Sequence, residues 1–192
     1  MRSVKTLTTR LVDEGARLLV EEGPAGLSLR KVAAAAGVST MPVYTLFGDK
    51  RGLLLAMHRE AFRRLGEALR DVPEGEDPLL RLGQLGLAYR RAALESPNLY
   101  GFMFGHEVNP DPEGEAVADA AYRPLVEAVA LCQRAGAFVD GDPERIALHL
   151  WAVVHGMMSL ELNGKLPDPA RAEERYAEAL NYAALPFINS GR

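Results

Sequence analysis

Apolar residues recur at helical intervals along nearly the whole chain, and this periodicity restricts the fold more than any other feature. Leu29, Val32, Ala33 and Ala36, for example, stand at positions i, i+3, i+4 and i+7, which places them on one face of an α-helix. No segment alternates apolar and polar residues over the length of a strand. The sequence therefore predicts an all-α fold.

Capping residues and glycines divide the first third of the chain into four predicted helices. In chain order these are a first helix that ends at Gly23-Pro24, a second capped by Ser28, a third capped by Ser39 and a fourth capped by Asp49. The second and third helices are short and are separated by a turn of Gly37 and Val38. The fourth helix is predicted to end at a polar linker, residues 73–78.

Beyond this linker, Asp-Pro pairs supply most of the predicted helix starts, because they combine an N-cap with a proline at the first helical position. The predicted starts of this kind are Asp77-Pro78, Asp142-Pro143 and Asp168-Pro169. We expect Ser96-Pro97 to interrupt the helix that begins at Asp77. The run from Val108 to Gly114 is predicted to be a loop, followed by a helix from about Glu115 to Ala135.

The composition excludes several other classes of protein. With 192 residues, 48% of them hydrophobic and 25% charged, the chain resembles an ordinary globular protein of one or two domains. Its single cysteine, Cys132, can form no internal disulfide, and no Cys-x-x-Cys pair is present to bind structural zinc. No apolar run approaches the roughly 20 residues that cross a bilayer, and the N-terminus lacks a signal-peptide pattern. We therefore expect a cytoplasmic protein without cofactor or membrane contact.

Charge is distributed unevenly along the chain. The formal net charge is -4, but the residues through Arg59 carry a net +4 and the remainder -8. Such asymmetry suggests that only the N-terminal part contacts a polyanion. Two short helices joined by a tight turn in this cationic region are typical of a helix-turn-helix motif, although a helical bundle whose turn merely packs remains an equal alternative.

The segment LSLRKVAAAAGVSTMPVYTLFGDKRGLLLAM resembles the N-terminal DNA-binding domain of the TetR family of transcriptional regulators. The resemblance rests on Val32-Ala33 in the second helix, Gly37-Val38-Ser39 at the turn, Tyr44 with Phe47 in the third helix, and Lys50 followed by Leu53 in the fourth. A second stretch, WAVVHGMMSLELNG from Trp151 to Gly164, is similar to the Trp-His-Gly helix of one TetR subgroup.

The resemblance implies a helix-turn-helix DNA-binding domain at residues 1–49, a connecting helix at 50–72, and a helical bundle at 73–192 for ligand binding and dimerisation. It also implies a ligand-responsive regulator, most often a repressor, that binds a pseudo-palindromic duplex operator as a homodimer. The predicted DNA-binding residues are Arg30, Lys31, Ser39, Thr40, Met41, Tyr44, Thr45 and Lys50. Thr40, Met41 and Thr45 would read bases, and the others would contact phosphates.

The third helix departs from the family in having no cation, since none occurs from Val32 through Asp49. Where many members have Lys or Arg after the serine, this chain has Thr40. A bidentate Arg or Lys contact to guanine is therefore not expected from this helix, and contacts to thymine methyl groups together with operator shape are expected instead.

In the C-terminal part, the resemblance implies a mostly apolar pocket for a small effector. The predicted pocket residues are Tyr89, Phe102, Met103, His106, Trp151, His155 and Met158. Each of them could instead be an ordinary core residue, and His155 could lie near a subunit interface.

Two other classes of protein remain as alternatives. An enzyme is disfavoured, because the sequence has no His-Glu-x-x-His motif, no phosphate-binding glycine loop and no Gly-x-Ser-x-Gly, and because Cys132 lies on an apolar helix face. A protein-interaction bundle without DNA binding would show no steep dependence of duplex affinity on salt.

Overall fold

The computed structural model describes residues 6–105 and 107–189, and apart from one isolated bridge between Phe138 and Ile188 the regular structure in these ranges is helical. The α-helices are α1 (Leu7–Gly26), α2 (Leu29–Ala35), α3 (Thr40–Phe47), α4 (Lys50–Arg70), α5 (Pro78–Glu95), α6 (Pro97–Met103), α7 (Pro112–Arg134), α8 (Pro143–Leu162) and α9 (Ala172–Ala184). Short 3-10 turns occupy Pro169–Arg171 and Leu185–Phe187. The all-α prediction is confirmed.

The chain divides into two compact units. One comprises the residues up to Arg64 together with Ser96–Ala118, and the other comprises Leu65–Glu95 together with the residues from Asp119 onward. The functional boundaries at residues 49 and 72 are not tested by this division and stay a prediction.

Side-chain caps begin several helices where the sequence predicts them. The Ser28 hydroxyl accepts from the Lys31 amide (3.3 Å) at the start of α2, and the Asp49 carboxylate accepts from the Gly52 amide (2.8 Å) at the start of α4. Asp77 in the same way accepts from the amides of the first turn of α5. These contacts satisfy amides that would otherwise have no partner in the first helical turn.

Two predicted helix starts are wrong. The α7 helix begins at Pro112, earlier than Glu115, because the Asp111 carboxylate accepts from the Gly114 amide (2.9 Å) and caps the helix there. At the other site, Asp168 has a left-handed backbone (φ 58°) and makes no capping bond, so it opens only the 3-10 turn and α9 begins at Ala172.

The second unit has a partly buried polar contact that joins α5, α8 and α9. The Arg90 guanidinium donates two hydrogen bonds to the Glu161 carboxylate (2.7 and 3.0 Å) and lies 5.9 Å from the centre of the Tyr176 ring. The Tyr176 hydroxyl, in turn, donates to the Gly86 carbonyl of α5 (2.8 Å), and burial raises the pKa of this tyrosine. Together these bonds fix the relative positions of the three helices.

Cys132 lies in the apolar core of the second unit. It is fully buried in a cluster that includes Val129, Phe138 and Ala147. Burial raises the pKa of its thiol to about 11, and the thiol is therefore protonated at neutral pH. The prediction that Cys132 is a core residue is confirmed.

None of the helices in the described ranges combines the length and the apolar character needed to span a membrane. The described residues also include no cluster of three or more His, Cys, Asp or Glu side chains that could bind a metal ion.

Candidate nucleic-acid interface

The third helix has one buried face and one exposed face. Val43 is fully buried and Phe47 is 9% exposed, so these two side chains attach α3 to the core of the first unit. On the other face Met41 is 74% exposed and Tyr44 45% exposed, and Thr40 is also exposed. The side chains that the sequence predicts to contact DNA are thus accessible.

The turn between α2 and α3 depends on a glycine and on a contact from α1. Gly37 has a positive φ of 67°, which L side chains rarely adopt, and the Val38 amide after it donates to the Ala33 carbonyl (3.0 Å). The Arg10 guanidinium donates to the Ala36 carbonyl (2.7 Å) at the end of α2. Sequence analysis missed Arg10, because a bond between residues so far apart in the chain leaves no local pattern.

The junction between α3 and α4 also depends on a glycine. A Cβ atom on Gly52 would lie 1.9 Å from the Phe47 carbonyl oxygen, a distance that no folded backbone tolerates. Only a glycine allows the end of α3 to approach the first turn of α4 this closely. The orientation of α3 is therefore determined at both of its ends.

Two hydroxyl side chains on the exposed face differ in what they can offer DNA. Ser39 occupies the N-cap position of α3 but makes no capping hydrogen bond, so its exposed hydroxyl is available to a phosphate oxygen. The Thr45 hydroxyl donates to the Met41 carbonyl one turn earlier (3.0 Å). Thr45 consequently offers mainly its methyl group, which suits contact with a thymine methyl.

The predicted phosphate-binding cations lie on α2 and α4. Arg30 is exposed, whereas Lys31 forms an ion pair with Glu22 at the end of α1. Lys50 is half-buried, and its ammonium donates to the Pro24 carbonyl. Both lysines are thus engaged by the same short part of α1 in this structure.

Comparison with models of known families gives a match for each part of the chain. Residues 11–57 match the bacterial regulatory proteins of the tetR family, and residues 82–182, more than half of the chain, match the tetracyclin repressor-like C-terminal domain. This chain belongs to the TetR family. It is accordingly a DNA-binding helix-turn-helix transcriptional regulator, and its subgroup stays a prediction.

Solved structures agree with this assignment. A protein of unknown function from Rhodococcus sp. RHA1 is 30% identical, with a TM-score of 0.81 over 97% of this chain and 98% of that one. The TetR family transcriptional regulator PfmR from Thermus thermophilus is 25% identical, with a TM-score of 0.73 over 98% of this chain and 100% of that one. No curated protein matches the sequence.

The predicted effector-pocket residues of this TetR-family protein fall in both units. Phe102 and Met103 are buried in the first unit, and Tyr89 and Met158 are buried in the second. His106 lies outside the described residues. Burial alone does not distinguish a pocket wall from a core residue, so these assignments stay predictions.

Trp151 and His155, the remaining pair, are partly exposed on α8. The Trp151 ring centre lies 5.7 Å from that of His155 and 6.0 Å from that of Tyr122 on α7. Burial lowers the pKa of His155, which favours a neutral imidazole at pH 7. An aromatic surface with one neutral imidazole suits an apolar ligand that carries few polar groups.

A polar cluster between α4 and the start of α7, which includes the buried His58, was not anticipated from the sequence. The Arg59 guanidinium pairs with Asp111 and with Glu113 (2.7 Å) at the start of α7. Beside it, His58 is 7% exposed, and its Nδ1 atom has no hydrogen-bond partner among the described residues. Burial lowers the pKa of His58. The cluster was missed because the prolines around Asp111 predict a loop, although Asp111-Pro112 is itself an Asp-Pro pair of the kind that starts helices.

Several large apolar side chains of the last two helices are exposed. On α8, Leu148 is 54% and Leu160 is 45% exposed. On α9 Tyr182 is 70% exposed, and Leu185 in the 3-10 turn after α9 is 56% exposed. Apolar residues at this density on neighbouring helices are typical of a surface that another protein surface covers.

Proposed function

We propose that this regulator binds a pseudo-palindromic DNA operator as a homodimer, acts as a repressor, and is released from DNA by a small apolar effector. The observation that carries the proposal is the division of α3, in which Val43 and Phe47 are buried whereas Thr40, Met41 and Tyr44 are exposed. In helix-turn-helix proteins the second helix of the motif, which is α3 in this chain, enters the major groove. The proposal places the protein in the cytoplasm, with duplex DNA, and includes no catalytic step.

Base recognition in this proposal comes from Thr40, Met41 and Thr45. The exposed face of α3 has no cation, so it offers methyl, thioether and hydroxyl groups to the base edges. These groups favour thymine methyls, and they leave part of the discrimination to the shape and flexibility of the operator.

Phosphate contacts come from residues around this face. Ser39 and Tyr44 offer exposed hydroxyls, and Arg30, Lys31 and Lys50 offer positive charge at the starts of α2 and α4. Such contacts orient the protein on the duplex without reading its sequence.

Dimerisation through α8 and α9 is supported by the exposed apolar side chains there. A two-fold dimer presents two recognition helices, which fit successive major grooves about 34 to 36 Å apart. The operator should therefore be pseudo-palindromic.

The effector would favour a conformation of the dimer that no longer fits the operator. We assign its contacts to the predicted pocket residues, which are Tyr89, Phe102, Met103, His106, Trp151, His155 and Met158. A typical coupling free energy of about 1 to 3 kcal/mol would weaken operator binding roughly 5- to 150-fold. Since Trp151 is the only tryptophan of the chain, its fluorescence would report effector binding directly.

Electrophoretic titration of variants on a set of duplexes tests the DNA interface. We expect Lys50→Ala to weaken binding to all duplexes by a similar factor, because a phosphate contact carries no sequence information. Thr40→Ala should instead change the preference at one operator position. Unchanged binding of Lys50→Ala at moderate salt would contradict the phosphate assignment.

Sedimentation of two matched variants tests the dimer surface. Leu148 on α8 and Leu80 on α5 are similarly exposed, at 54% and 60%. Leu148→Glu should produce a monomer, because it buries a carboxylate in the proposed interface, whereas Leu80→Glu should remain a dimer. Dimerisation of Leu148→Glu with unchanged affinity would refute the proposed interface.

A further inference from the structure

The end of α1 contains a sharp kink that lies beside two of the proposed DNA-binding cations. Gly23 has φ 71° and ψ 177°, far from helical values, and it separates the carboxylate of Glu22 from the carbonyl of Pro24. Glu22 pairs with the Lys31 ammonium, and the Pro24 carbonyl accepts from the Lys50 ammonium. We call Glu22–Pro24 the kink segment.

The two contacts of the kink segment differ in charge. The Pro24 carbonyl is neutral, so it restricts the position of the Lys50 ammonium without compensating its charge. Glu22 is an anion, so it compensates the charge of Lys31. The Lys31 and Glu22 side chains are 51% and 38% exposed, and a pair this accessible to water opens at low cost.

We propose that Glu22 acts as an intramolecular substitute for a DNA phosphate, which occupies Lys31 in the free protein and releases it when a duplex binds. This inference rests on the proposed function, in which Lys31 and Lys50 contact phosphates. A carboxylate and a phosphate oxygen are both anionic acceptors for an ammonium group, so one can replace the other. When a phosphate contacts Lys31, repulsion between the two anions displaces the Glu22 carboxylate.

The exchange makes binding to every duplex weaker than it would be with an unoccupied Lys31. Association with arbitrary DNA is almost entirely electrostatic, whereas operator binding adds base contacts, so a mixed-sequence duplex reports the exchange most directly. By competing for Lys31, Glu22 reduces the number of regulator molecules held on the rest of the genome.

A pair of adjacent carboxylates makes a matched test possible. Glu21 is the neighbour of Glu22 and also pairs with a cation, Arg17, at 2.5 Å. Glu21→Gln and Glu22→Gln change the net charge equally and at nearly the same place. A difference between the two variants therefore reports the local release of Lys31 and not the overall field of the protein.

The probe is a mixed-sequence duplex of about 30 base pairs, titrated by fluorescence anisotropy over a series of salt concentrations. We expect Glu22→Gln to bind about 2- to 5-fold more tightly than the unchanged protein at moderate salt, with little change for Glu21→Gln. The slope of log affinity against log salt should be similar in Glu22→Gln and in the unchanged protein, because the released Lys31 contacts a phosphate in both complexes.

Lys31→Ala in both backgrounds completes the test. Its loss of affinity should be small in the unchanged protein and larger in Glu22→Gln, where no carboxylate competes. Equal losses, or identical affinities of Glu22→Gln and Glu21→Gln, would overturn the inference while leaving the proposed function intact. Absence of salt-dependent duplex binding in every protein would refute the proposed function itself.

Discussion

Replacement of Gly52 by alanine should destabilise the protein, although alanine is normally the better helix former. The residue lies in the first turn of α4, where glycine costs up to about 1 kcal/mol relative to alanine. A Cβ atom there would lie 1.9 Å from the Phe47 carbonyl oxygen, and ordinary contacts begin at 3.4 Å. The backbone around the junction of α3 and α4 must therefore move by about 1.5 Å.

This movement carries two costs. Forcing extra atoms into a packed site typically costs about 1 to 3 kcal/mol. The shift also disturbs the hydrogen bond between the Asp49 carboxylate and the Gly52 amide (2.8 Å), and loss of a cap costs about 1 kcal/mol. After the gain in helix propensity, a net destabilisation of about 2 kcal/mol remains. In a chain of this length it corresponds to a fall in Tm of about 4 to 8 °C.

Gly83→Ala is the matched control for this substitution. Gly83 lies within α5, and a Cβ atom built there would have no neighbour within 4 Å. Gly83→Ala should stabilise the protein by up to about 1 kcal/mol through the higher helix propensity of alanine alone. Both variants are compared by urea denaturation at one protein concentration, because the stability of a dimer depends on concentration. Equal stabilities of Gly52→Ala and Gly83→Ala would refute the steric argument.

Three further predictions concern buried groups. Burial keeps the folded-state pKa of His58 below its unfolded value of about 6.5. The free energy of unfolding should therefore be highest above about pH 6.5 and should fall as the pH drops below it. In urea titrations between about pH 7.5 and 5.5, His58→Leu should lose less of this free energy than the unchanged protein. Glu161→Gln should lower the free energy of unfolding by about 2 kcal/mol in the same assay, because it removes the charge that binds the 15%-exposed Arg90. An unchanged urea midpoint would contradict this expectation. Cys132 should react with thiol reagents at pH 8 only after unfolding, and labelling of the native protein would show that the residue is accessible.

The helix boundaries show what local sequence can and cannot predict. Asp-Pro occurs at four places, and at residues 77, 111 and 142 the carboxylate accepts hydrogen bonds from the next turn and starts a helix. At residue 168 the same dipeptide fails, because a left-handed backbone at Asp168 prevents the carboxylate from capping. The dipeptide supplies the groups that form a cap, but the preceding chain determines the backbone angle. The error at residue 111 was different: the pattern was present, and the prolines around it favoured a loop.

Part of the division of α3 could be predicted from periodicity. Val43 and Phe47 are four residues apart and share a buried face, so the exposure of Met41 on the opposite face follows from the helix itself. Thr40 lies three residues before Val43, and its exposure at the first position of the helix does not follow from periodicity. The bond from Arg10 to Ala36 and the environment of His58 join residues distant in the chain. No local pattern encodes such contacts, and sequence analysis found neither.

Charge illustrates the same distinction at the interface. A count of residues gives the N-terminal part a net +4, but it does not say which cations remain available to DNA. Arg17 is paired with Glu14 and Glu21 along its own helix, and Lys31 is paired with Glu22 across the kink of α1. Among the described residues, no carboxylate pairs with Arg30 or Arg51. The electrostatic contribution to duplex affinity therefore depends less on the number of cations than on how many of them already have an anionic partner in the free protein.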